Sequence, residues 1–188
     1  WRDLYEARIE LETRLLHNVK TALDSIKKLE ADAARTNDIP LLQEARNLLK
    51  MCQTSYDRNN RKWTQAGEFF VNGQFQQTAR LYEEIWKDDF KGMYDASDLA
   101  NRYAHSIDKD VVEVLIPSMY KHGREKDEAN LRLMGHYSSF CQELAKQTKD
   151  QQVESIARTT RNTYESWRSA LASSPGQQDR DHKTLHNR

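Results

Sequence analysis

At 188 residues the chain is long enough for one hydrophobic core, or for two small helical units sharing an interface. Its 29 Lys and Arg equal its 29 Asp and Glu, so no overall field draws in nucleic acid or an anionic membrane, and only local patches stay open to such partners. Charged residues at 31%, a mean hydropathy of −0.95, six Gly and three Pro point to solvent-washed amphipathic helices and away from sheets, which spend Gly and Pro on turns. The best apolar run, 111–116, is broken by Glu113 and falls far short of the roughly 18 residues of a membrane span.

Residues 2–34 hold no Gly or Pro and place Leu4, Leu11, Leu15, Val19, Ala22, Ile26 and Leu29 at helical spacing, which predicts one long amphipathic helix. Leu16 and Leu23 widen its stripe, favouring a bundle or a solenoid flank over a two-stranded coiled coil. Asn37 and Asp38 are expected to cap a second helix with Pro40 in its first turn and with Leu41, Leu42, Ala45, Leu48, Leu49 and Cys52 inward, fading near 57–60. A third helix is expected from Arg61 through Trp63, Ala66, Phe69 and Phe70. Asn72-Gly73 then turns the chain into a fourth helix over 74–91, carrying Phe75, Ala79, Tyr82, Ile85 and Trp86 on one side.

Past Gly92 the pattern predicts a short helix capped by Ser97, and another capped by Asp108 or Asp110 that Pro117 kinks or ends. His122-Gly123 marks a turn. A helix over 126–149 follows with Met134, Tyr137, Phe140, Cys141 and Leu144, then a last one over 150–171 with Val153, Ile156, Ala157, Thr160, Tyr164 and Trp167. Residues 173–188 are polar apart from Leu185 and read as a disordered tail. The expectation is an all-α protein of about six or seven helices, a long first helix followed by antiparallel hairpins. Residues 1–172 make one domain, with a sub-boundary near 92–97. The start at Trp1 without Met reads as a processed product, an excised domain or missing upstream residues.

One phrase recurs: Asp38-x-x-Leu41-x-x-x-Ala45-Arg46, Asn72-x-x-Phe75-x-x-x-Ala79-Arg80 and Asp150-x-x-Val153-x-x-x-Ala157-Arg158. Each copy reads as an N-cap, an apolar residue and a small Ala at a helix crossing, and the first two are offset by 34 residues. In addition, Ala66, Phe69, Gly73, Phe75, Thr78, Ala79, Tyr82 and Ile85 within AGEFFVNGQFQQTARLYEEIW (66–86) resemble the tetratricopeptide repeat pattern over about one repeat. That resemblance implies protein binding rather than chemistry.

Candidate functional residues follow from these patterns. Arg46, Arg80 and Arg158 would project from matching places on three helices as a ladder of donors for an acidic peptide, and Phe90 and Tyr94 beside Gly92 would serve as exposed aromatic anchors. No catalytic set is expected. Cys52 and Cys141 read as ordinary half-buried thiols in no metal-ligand spacing, glycine-rich phosphate loops are absent, and the His182/His186 pair lacks the intervening Glu of a metalloprotease helix. Neither a metal nor a cofactor is expected, and the two cysteines leave the compartment open with a lean to the cytoplasm. The expected function is a non-enzymatic protein–protein interaction module, an adaptor or a subunit of a larger assembly, whose partner is another protein or a peptide. Alternatives are a dimeric membrane-surface scaffold that uses the long helix to self-associate, and a helical sensor that buries a small ligand. An RNA binder would need the basic clusters at Arg58/Arg61/Lys62, Lys121/Arg124/Lys126 and Arg158/Arg161/Arg168 on one face.

Overall fold

The computed structural model describes residues 1–4, 19–88, 95–119 and 121–173, and these form helices joined by short turns, with no strand among them. The all-α expectation of about six or seven helices holds. Residues 5–18 of the predicted first helix, the loop around Gly92 and the tail beyond 173 lie outside the described residues.

Helix α1 (Val19–Thr36) ends where Asn37 turns left-handed at φ 56°. The N–H groups of Asn37 and Asp38 return to the carbonyls of Ala34 and Ala33 at 3.4 and 3.0 Å, closing a Schellman cap. Asp38 then starts α2 (Ile39–Val71) by accepting from the Leu41 N–H at 3.1 Å, with Pro40 in the first turn, where a missing N–H costs nothing.

The break expected at 57–60 does not occur. Helix α2 runs unbroken for 33 residues, about 50 Å at ~1.5 Å per residue. Its middle is polar, yet it holds no Gly or Pro, and polarity without a breaker does not end a helix. Ser55 and Asn59 are buried there, and Asp88, just past the next helix, accepts from Ser55 Oγ at 3.2 Å and pairs with Arg58. This polar belt separates two apolar clusters strung on one rod. Ala45, Leu48 and Cys52 of α2 pack with Ile26 of α1 and with Leu4, whereas Ala66 belongs to the larger core.

Gly73 at φ 71° closes a second Schellman cap, its own N–H and that of Gln74 returning to Phe70 and Phe69 at 3.0 and 2.8 Å. Asn72 is therefore the C-cap of α2 and not, as its place in the recurring phrase suggested, the N-cap of α3 (Phe75–Trp86). The hairpin over 66–86 is an antiparallel helix pair whose Thr78 Oγ reaches the Ala66 carbonyl at 3.4 Å. Its first helix is nearly the length of a whole repeat of about 34 residues, so the 34-residue offset links positions that are not structurally equivalent.

Helix α4 (Ala96–Asp110) is capped by Asp95, which accepts from the N–H groups of Ser97 and Asp98 at 2.8 and 3.1 Å, so Ser97 is not the cap. Neither Asp108 nor Asp110 starts a new helix. The rod continues through a π-helical turn, Val111–Leu115, in which the Ile116 N–H reaches the Val111 carbonyl, and ends with the turn Ile116–Ser118 around Pro117. Helix α5 (Arg124–Thr148) leads to Lys149 at φ 54°, and Asp150 caps α6 (Gln151–Ser173) through the N–H groups of Gln152 and Val153 at 2.9 and 3.1 Å.

Each helix packs on the next around a centre held by α4, which meets α3 on one side and both α5 and α6 on the other. Leu99, Ala100, Tyr103, Ala104, Ile107, Val111 and Leu115 of α4 fill that core. The alanines of the recurring phrase lie where they were expected: Ala45, Ala79 and Ala157 are 0%, 2% and 3% exposed.

Two outcomes follow. Ala79→Leu forces extra carbon between closely packed helices and should lower stability by about 1–3 kcal/mol in urea unfolding. Asp110 accepts from Tyr137 Oη at 3.0 Å and also from Gln76, yet burial dominates and pushes its carboxyl above the usual range. Because the folded chain then holds this proton more tightly than the unfolded chain does, stability is lost as pH rises from the unfolded carboxyl pKa toward the raised folded one. Asp110→Asn should therefore raise the thermal midpoint at pH 7 relative to wild type and lose that advantage below about pH 4.

Candidate functional site

Helices α5 and α6 form an antiparallel hairpin whose inner faces, with Met134, Tyr137, Cys141 and Leu144 opposite Val153, Ala157 and Trp167, meet the core. Part-way round each helix runs a second stripe at three- and four-residue spacing. On α5 it comprises Arg132, Gly135, Ser138, Ser139, Gln142, Ala145, Lys146 and Lys149, and on α6 Glu154, Ala157, Arg158, Arg161, Tyr164 and Glu165. Between the stripes lie a cavity of about 470 Å³ near the Lys149 turn and one of about 560 Å³ further along, which share Gln142 and Arg161. They make one groove, open to solvent on the outer side of the hairpin.

Small residues, Gly135, Ser138, Ala145 and Ala157, set its floor. At Gly135 an added Cβ would come within 3.1 Å of the Tyr164 ring, so a side chain there would have to push that ring back by a few tenths of an ångström. Cations set its walls. Arg158 pairs with Glu154 at 3.3 Å and Arg161 with Glu165 at 2.8 Å, each one turn apart on α6. Arg132, Lys146 and Lys149 have no carboxylate within ion-pair distance among the described residues. The groove thus carries five cations against two carboxylates, with its unmatched positive charge on α5 and at both ends.

The three arginines singled out by sequence stand on three different hairpins. Arg46 bonds Glu30 of α1 at 2.8 Å, Arg80 bonds Glu84 of its own helix at 3.2 Å, and Arg158 borders the groove. Phe90 and Tyr94 lie outside the described residues, as do His182 and His186. The residues that pattern reading passed over are Arg132, Lys146 and Lys149 with the small floor. Their signal was a second three-and-four stripe on α5, offset from the apolar one.

Cys52 and Cys141 are free thiols, buried rather than half-buried, and burial pushes them up to about 11 and about 12. Glu83 of α3 accepts from Lys87 and from His136 of α5, at 2.8 Å for the latter; these bonds hold its carboxyl below the usual range against the opposing effect of burial. No group of three or more His, Cys, Asp or Glu side chains arranged to hold a metal occurs among the described residues. Comparison with protein-family models, with curated proteins and with solved structures gave no match to this chain in any of the three.

The Gly135–Tyr164 contact is measurable. Gly135→Ala gains helix propensity of about 1 kcal/mol but pushes on the ring, so its effect should become more stabilising when Tyr164 is already Ser. A double-mutant cycle should return a coupling of about 0.5 kcal/mol or more.

Proposed function

We propose that this chain is a non-catalytic recognition module, an adaptor or a subunit of a larger assembly, and that it takes a segment of a partner protein into the outer groove of the α5/α6 hairpin. The observation that carries this reading is the set of unmatched cations, Arg132, Lys146 and Lys149, around a floor of small side chains. Cations without partners on a surface this rich in local ion pairs are available for carboxylates from outside. A chain of zero net charge gains such attraction only locally, which selects an acidic segment rather than a polyanion at large.

The competing readings draw less from the geometry. An RNA face would need its basic clusters free, yet five of their nine cations are engaged: Arg58 pairs with Asp88, Lys62 with Glu84, Arg124 with Glu128, and Arg158 and Arg161 with their own glutamates, leaving Arg61, Lys121, Lys126 and Arg168 without an ion pair among the described residues. A sensor would need an enclosed chamber, and both groove cavities open outward. A membrane-surface scaffold would rest on the long first helix, of which residues 5–18 lie outside the described residues; no described helix is long and apolar enough to cross a membrane.

Lys146→Glu combined with Lys149→Glu tests the reading. Both side chains are exposed, so the thermal midpoint should stay close to that of wild type. Affinity for a fluorescein-labelled glutamate-rich peptide at low salt should fall at least tenfold in anisotropy titrations, and wild-type affinity should decline steeply with added salt. Equal binding by both proteins would remove the groove from the function.

A further inference from the structure

We infer that the groove is built for an acidic amphipathic helix of about four turns presented by a partner protein, an assignment that rests on the groove being a polypeptide site. Three observations lead there. The first is the state of the backbone. Helices α5 and α6 spend their N–H and C=O groups on their own ladders, so the groove offers no row of backbone partners to an extended strand. A strand laid there would bury polar groups without partners, whereas a helix arrives with its backbone already satisfied.

The second is shape. The inner side of the same hairpin already seats a helix, since α4 packs on α5 and α6 together. The outer groove is the corresponding seat on the opposite side, and its floor of Gly135, Ser138, Ala145 and Ala157 lets a second helix approach closely if its own contact residues are small.

The third is the spacing of charge. Along α5, Arg132 lies 14 residues from Lys146 and 17 from Lys149, about 21–26 Å at ~1.5 Å per residue. A guest helix lying along α5 therefore meets unmatched cations at both ends and the Arg158/Arg161 pairs between them. Its chemistry is carboxylates clustered near each end, with Ala, Ser or Gly on the face between. Leu- or Phe-rich helices, which suit the inner seat, have no large apolar pocket here to enter.

The test uses the full chain and three labelled 17-residue peptides. One is helical, with Glu and Asp at both ends and Ala and Ser between. A second has the same composition except for two central Pro, and a third replaces every acid by its amide. Anisotropy should show saturable, salt-sensitive binding of the first, at least tenfold weaker binding of the proline peptide and none of the amide peptide. Circular dichroism should show helix gained on binding. Gln142→Trp, which fills the middle of the groove without altering charge, should weaken the first peptide at least tenfold. Exposed Ser139→Trp serves the same purpose if Gln142→Trp lowers the thermal midpoint. Equal affinity of the helical and proline peptides would overturn the helix while leaving polypeptide binding in place. No binding of either acidic peptide would overturn both. A dimer of the chain that dissociates on Lys146→Glu/Lys149→Glu would put a second copy in the seat and overturn the partner helix.

Discussion

Close approach of helices at alanine is the constraint on which the rest of this structure depends. Ala45 at the α1/α2 contact, Ala66 and Ala79 in the core that α2 and α3 share, and Ala157 between α5 and α6 are all buried. A single methyl at a crossing lets axes come within about 8 Å, and the turns require it. Asn37, Gly73 and Lys149 each reverse the chain with one left-handed residue, so the helices they join begin side by side. A turn that short and a bulky residue at the crossing are incompatible. The same rule explains the groove, because small residues that let α5 and α6 meet inside also keep the floor low outside.

Polar side chains take over where the apolar stripes lapse. On α2, Ser55 and Arg58 meet Asp88, and the Asn101 amide of α4 donates to Asp150 at 2.8 Å, tying the central helix to the cap of α6. Asp110, Tyr137 and Gln76 join α4, α5 and α3 in the same way. Burying such groups is costly unless each finds a partner, so these ties fix register more than they add stability. The groove has the reverse character. Its cations stand in solvent, where an unmatched charge costs little and remains free to act at a distance.

The legible part of the sequence was the part written by local rules. Asp38 and Asp150 have the sequence signature of caps and are caps; the alanines have that of crossings and are buried. Errors arose where one residue type serves two ends of a helix. Asn72 looks like Asp38 in sequence, but the Gly that follows it makes it the close of α2 rather than the opening of α3. Asp110 looks like a cap and is a buried acceptor, because nothing after it breaks the helix. The polar run 57–60 looks like a gap, since Asp88, the partner of Arg58, lies 30 residues away and only folding brings the two together. The groove was hidden for a related reason. A lysine cannot be known to lack a carboxylate until every neighbouring helix is placed, and Lys146 and Lys149 face α6 across a turn that sequence alone leaves without direction.

The two seats on the α5/α6 hairpin show how one pair of helices separates two jobs. On the inner side, α4 brings Leu99, Tyr103 and Ile107, and the contact is held by apolar area removed from water, which has little dependence on salt. On the outer side the lining, apart from Gln142 and Tyr164, is small or charged, so area contributes less and attraction comes mainly from opposite charge. Such a contact forms quickly, weakens with ionic strength and discriminates by repelling the wrong sign as much as by holding the right one. That is the behaviour of a surface for reversible recognition, and it follows from which side chains occupy two stripes about a third of a turn apart on one helix.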